Sequence, residues 1–242
     1  MPDSVEIRGA VRLPAVREDV EFTTLDRLRL VGELASPQSG HPVATLITLH
    51  PLPTHGGFMD SHILRKAAAR LPALADLAVL RFNTRGTSSP RGTSEGAFGE
   101  GVTERFDVEA AVRFARDRGL PRPWLVGWSF GTELAIKYGL AHDEIEGAIL
   151  LSPPLHRATR DELAAWHGSG KRMVVLVPEH DDFLTPDRAE PIFREAVPEA
   201  ELIAVPGGKH LWVGENQTRT VLTEIVRAVN PAALPLPETY QL

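Results

Sequence analysis

The pentapeptide Gly127-Trp128-Ser129-Phe130-Gly131 constrains this chain more than any other stretch, because two opposite periodicities meet at it. Residues 123–127 form a short apolar run of the kind shown by a strand buried on both faces, whereas residues 130–138 place apolar side chains at helical spacing. Ser129 therefore falls on a strand-to-helix turn. Such a turn holds its central residue in a strained backbone, and the flanking glycines remove Cβ atoms that would collide, so that the hydroxyl is presented at a helix N-terminus. Gly-x-Ser-x-Gly alone is a weak pattern, since glycine and serine are common. The strand before it and the helix after it are what make Ser129 a candidate nucleophile.

Around this turn, strand-like and helix-like segments alternate. Residues 20–25 and 28–34 alternate apolar and polar side chains on either side of Asp26-Arg27, which predicts an antiparallel hairpin at a sheet edge. Residues 43–49 are almost continuously apolar and β-branched, as in a central strand. A Pro/Gly-rich loop, His50 to Gly57, leads into a helix over 61–77, with Pro72 expected to end its first segment. Further strands are predicted at 78–82, 148–151, 172–177 and 201–205, with helices at 104–118 and 215–229. The pattern predicts an α/β fold: a mostly parallel sheet with helices on both faces. A chain of 242 residues that is 43% hydrophobic suffices for a single domain over 1–242. Residues 1–17 read as an arm that is loosely attached or lies on the surface, and 231–242 as an unstructured, proline-rich tail.

Composition removes several chemistries. There is no cysteine, so disulfides, thiol catalysis and cysteine-ligated metals are excluded, and catalysis rests on oxygen and nitrogen. The net charge of −6, with Lys and Arg scattered, argues against a nucleic-acid partner. The N-terminus has neither the basic nor the apolar region of a signal peptide, and no apolar run reaches membrane-spanning length, so the expected location is the cytoplasm without a membrane partner. A homodimer stays open. His50, His55 and His62 lack zinc-ligand spacing, so no metal is expected. Residues 92–101 are glycine-rich but lack the Lys-Ser/Thr ending of a phosphate loop and the dinucleotide fingerprint, so no cofactor is expected either.

A serine hydroxyl needs a base, and the base needs an orienting acid. Acid candidates, Asp181 and Asp182 among them, cluster in the loop after the 172–177 strand, where an open parallel sheet delivers its ligands; His210 follows the next strand. With this Ser, acid, His order, the chain resembles the α/β-hydrolases over roughly residues 19–229. In that superfamily the acid commonly precedes a proline by four positions, which implies Asp182 ahead of Pro186. The segments His50-Pro-Leu-Pro-Thr-His-Gly-Gly57 and Arg81-Phe-Asn-Thr-Arg-Gly86 more narrowly resemble small, capless, dienelactone-hydrolase-like bacterial enzymes, whose members often carry a second histidine where this chain has Leu52.

The resemblance implies a serine hydrolase with Ser129, Asp182 and His210 as its triad, acting on a small ester-type acyl substrate. It also implies an oxyanion hole from two backbone amides. Phe130 supplies one. Pro51 has no N–H, which leaves Leu52 as the second donor, with His50 bracing the loop. The segment between the strands at 148–151 and 172–177 is too short for a substantial lid, so an open site is expected. The same fold also serves peptidases and silent ligand-binding proteins, and both stand as alternatives. Trp128 and Trp212 suit a pocket lining or core packing equally well.

Overall fold

A computed structural model describes residues 4–241. The strands are β1 (Ser4–Glu6), β2 (Val16–Thr23), β3 (Arg29–Ser36), β4 (Ala44–Leu49), β5 (Leu77–Phe82), the short pair β6 (Ser88–Ser89) and β7 (Gly92–Thr93), β8 (Pro123–Trp128), β9 (Gly147–Leu151), β10 (Arg172–His180), β11 (Glu201–Lys209) and β12 (Thr239–Gln241). The helices are α1 (His62–Ala75), α2 (Arg105–Asp117), α3 (Phe130–Tyr138), α4 (Arg160–Ala164), α5 (Pro186–Ala196) and α6 (Glu215–Val229). Eight strands form one sheet in the order β11-β10-β9-β8-β4-β5-β3-β2. The six strands from β11 to β5 are parallel, and the β2–β3 hairpin closes the edge in antiparallel fashion, as the alternation predicts.

Because successive strand residues face opposite ways, the central strands feed two cores. Ile47 and Leu49 of β4 join Val108, Leu134 and Phe193 on the face covered by α2, α3 and α5. Leu46 and Ala44 join Leu64, Leu71 and Ile225 on the face covered by α1 and α6. Trp128 and Trp212 are both buried in this second core, where they pack instead of lining a pocket.

Three expectations about the ends of elements are corrected. First, α1 runs unbroken through Pro72. Proline removes the N–H that would bond the Ala68 carbonyl, but the Arg17 guanidinium donates to that oxygen (3.3 Å), and Leu13 N–H donates to the neighbouring Ala69 carbonyl (2.9 Å). Second, of the two readings of the arm the loose one fails: Leu13 is buried, and Val16 is already in β2. Third, the arm and the tail pair: β1 and β12 form an antiparallel ribbon with Val5 opposite Tyr240. Residues 1–3 of the arm and 242 of the tail lie outside the described residues.

Between β9 and β10 the chain makes only the five-residue α4, and among the described residues no cap covers the sheet. The loop leading into α4 is tied down: the buried Glu133 carboxylate on α3 accepts from the amides of His156 (2.6 Å), Arg157 (2.7 Å) and Ala158.

Candidate active site

Parallel strands end at one edge of the sheet, and the residues immediately beyond them converge there. Ser129 is the first residue after β8, Asp181 the first after β10, His210 the first after β11 and His50 the first after β4. Ser129 has φ 52° and ψ −117°, a left-handed φ that costs a non-glycine residue about 1–3 kcal/mol. The turn is tight enough that a Cβ on Gly131 would run into the Leu49 carbonyl, and one on Gly127 into the Gly131 carbonyl.

His210 joins the set. Its Nε2 lies 2.9 Å from Ser129 Oγ, and its Nδ1 lies 2.9 Å from Asp181 Oδ2. An ionised carboxylate only accepts, so Nδ1 carries the proton and Nε2 is left to accept from the serine hydroxyl. The other Asp181 oxygen accepts from the amides of Phe183 (2.8 Å) and Leu184 (3.2 Å). Burial by itself would raise the Asp181 carboxyl, but the hydrogen bonds from His210 and these two amides hold it below its ordinary value.

The aspartate that reaches His210 is therefore Asp181 and not Asp182, the expected one, and the reason lies in where β10 ends. β10 runs on to His180, beyond the apolar run ending at Val177, and its register with β11 shifts between Pro178 and His180. That irregularity re-aims the chain so that Asp181 turns inward, 6% exposed, while Asp182 faces solvent. Thr185 and Pro186 do occupy the N-cap and first turn of α5, but the spacing counted back from that proline misses the partner of His210 by one residue. Both aspartates precede amides that could close such a turn, so no signal in the sequence separates them.

His50 is fully buried and braces the loop after β4. Nδ1 donates to the Pro51 carbonyl (2.7 Å), and Nε2 accepts from the Thr84 amide (3.1 Å). Burial depresses its pKa from 6.5 to about 4, so the ring is neutral, in keeping with these two opposite roles. The Leu52 amide has no acceptor among the described residues, and Phe130 heads α3, where a first-turn N–H finds no partner within the helix. No group of three His, Asp or Glu side chains among the described residues is arranged to hold a metal ion, and none of their helices is long and apolar enough to cross a membrane. At the rim, Phe183 packs edge-on against His210 at 4.6 Å and is 43% exposed, and Leu211, next to His210 in the chain, is also exposed.

The architecture has close parallels among solved structures. An α/β serine hydrolase homologue from Coxiella burnetii superposes with a TM-score of 0.73 at 22% identity, covering 88% of this chain and 97% of its own. A member of the α/β serine hydrolases without a lid, from Xanthomonas campestris, gives 0.72 at 23% identity over 93% of this chain and 99% of its own. The chain has the α/β-hydrolase fold. An esterase from Pyrococcus furiosus shares this fold, with a TM-score of 0.70 at 20% identity over 89% of this chain and 93% of its own. No protein-family model matches the chain. In sequence, an uncharacterized protein of Rickettsia prowazekii is 30% identical over 132 residues, 53% of this chain and 52% of that protein. The match thus spans about half the length of this curated relative. Within the α/β-hydrolase fold, the ends of β8, β10 and β11 are where Ser129, Asp181 and His210 stand.

Proposed function

We propose that the protein is a serine hydrolase that cleaves a small ester-type acyl substrate, a carboxylic ester, thioester or lactone, through an acyl-enzyme. The observation that carries this reading is the unbroken chain of hydrogen bonds Ser129 Oγ, His210 Nε2, His210 Nδ1, Asp181 Oδ2, with both links at 2.9 Å. As Ser129 attacks the substrate carbonyl, His210 Nε2 takes its proton, and the ionised Asp181 stabilises the imidazolium that forms. The carbonyl oxygen, now carrying charge, sits at the head of α3 between the amides of Phe130 and Leu52. His210 then hands the proton to the leaving oxygen or sulfur, whose bond to the acyl carbon breaks. Water, activated by the same histidine, attacks the acyl-serine, and the acid product departs while Oγ regains its proton.

The absence of a cap between β9 and β10 among the described residues and the exposed Phe183 favour small or exposed acyl groups over deeply enclosed ones. Turnover of short p-nitrophenyl esters, thioesters and lactones by wild type and Ser129→Ala tests the reading. Wild type should hydrolyse at least one class, and the variant should lose that activity. Equal turnover by both removes Ser129 from the mechanism.

A further inference from the structure

A second concavity lies on the α1 face, between the N-terminal arm, α1, and the β3–β5 edge of the sheet. Its volume is about 150 Å³. Six cations line it, Arg12, Arg17, Arg65, Lys66, Arg81 and Arg91, against two carboxylates, Glu33 and Asp60. This excess is notable in a chain whose net charge is −6.

The two carboxylates are already engaged. Glu33 pairs with Arg81 and Arg91; Asp60 pairs with Arg81 and lies 3.6 Å from Arg91. Lys66 is held by Glu215 from outside the cavity, and Arg91 also reaches Asp19. Arg12, Arg17 and Arg65 have no carboxylate partner among the described residues; the hydrogen bonds of Arg17 all go to backbone carbonyls. Arg81 is 2% exposed, and its buried Nε has no acceptor among the described residues. Burial above all, and then the nearby charges of Arg12, Arg81 and Arg91, lower the Arg17 pKa, with Glu33 opposing.

We infer that this cavity binds a small phosphate-bearing anion of about the size of diphosphate, held by Arg12, Arg17 and Arg65. The class follows from charge, donor geometry and size. Arginine forks match the oxygens of a phosphoryl group. The cavity holds roughly five waters' worth of volume, well below the ~300 Å³ at which drug-sized ligand sites begin. The occupant thus bridges the arm to α1 and is separate from the proposed ester-cleaving centre.

Isothermal titration of the full chain at low ionic strength tests this, with inorganic diphosphate, orthophosphate, glucose 6-phosphate, sulfate and citrate as ligands. Diphosphate is expected to bind one to one and more tightly than sulfate or citrate at equal ionic strength. Comparable binding of glucose 6-phosphate marks the terminal phosphate of an organic ester as the group recognised, whereas preference for the inorganic ions marks free phosphate. The double variant Arg12→Ala/Arg65→Ala removes two exposed side chains and should weaken diphosphate binding at least tenfold, with the ligand-free melting temperature and ester turnover unchanged. Binding no stronger than that of sulfate or citrate, or equal binding by the double variant, overturns the inference.

Discussion

The indole N–H of Trp128 donates to the main-chain carbonyl of His210 at 3.1 Å. The residue before the candidate nucleophile thus anchors the residue that would activate it, and Ser152 Oγ adds a second donor to the same carbonyl at 3.2 Å. His62 holds the next carbonyl, that of Leu211, through Nε2 at 2.7 Å. Trp128→Phe keeps an aromatic ring in the core but removes the first of these bonds. One bond of this kind is worth about 1 kcal/mol, so kcat should fall about fivefold with little change in KM. Steady-state kinetics on a short ester, beside a urea melt showing the variant folded, checks it; unchanged kcat would mean that the remaining bonds suffice.

Asp181 and Asp182 differ in one decisive respect: only the first reaches His210. Asp181→Asn lets the acid's place be filled by a neutral amide that no longer fixes the tautomer, and kcat should drop by roughly 10³–10⁴. Asp182→Asn changes an exposed side chain and should stay within about twofold of wild type. Parallel kinetics on the two variants reads this directly, and a reversed order would reinstate Asp182.

The Ser129 turn is legible in the sequence, and the aspartate that partners His210 is not. The Ser129 turn is specified locally, by a strand, two glycines and a helix in one stretch. His210 was legible because the apolar strand before it and its chain order both point to it. Which aspartate faces His210 depends on where β10 stops, and that is set by its pairing with β11 and the register shift at Pro178, which no local pattern records. Pro72 misled for a similar reason. The group that takes over its lost hydrogen bond, Arg17, comes from a distant part of the chain. The ribbon of β1 and β12 joins opposite ends of the sequence through three residues each, too few to show a period. The alternating sheet core, by contrast, was visible throughout, because burial on both faces demands continuous apolar runs.

Arg17 and Pro72 should therefore be coupled. Arg17→Met leaves the Ala68 carbonyl without its donor and should cost about 1–3 kcal/mol, lowering the melting temperature by roughly 2–10 °C for a chain of this size. In a Pro72→Ala background the restored N–H can bond that carbonyl, so the same substitution should cost distinctly less. A double-mutant cycle from denaturant melts measures the difference; strict additivity would show that the two residues act separately.

His50 gives stability a defined pH dependence. Its folded pKa, about 4, lies below the ordinary 6.5, so the unfolded chain binds the proton more readily. The stability it confers is complete above pH 6.5 and is lost as the pH falls through about 4, up to about 3 kcal/mol in all. Urea melts between pH 7 and 4 should show this slope in wild type and a flatter one in His50→Gln. Matching slopes would assign the acid sensitivity to other groups.

The most direct test of Ser129 as an activated nucleophile is covalent labelling with a fluorophosphonate, followed by intact mass and peptide mapping. The folded protein should gain a single adduct on Ser129, and His210→Ala, which removes the base 2.9 Å from Oγ, should lose it while remaining folded. Folded wild-type protein that stays unlabelled at high probe concentration, or a His210→Ala variant labelled as fast as wild type, would contradict the serine-hydrolase assignment.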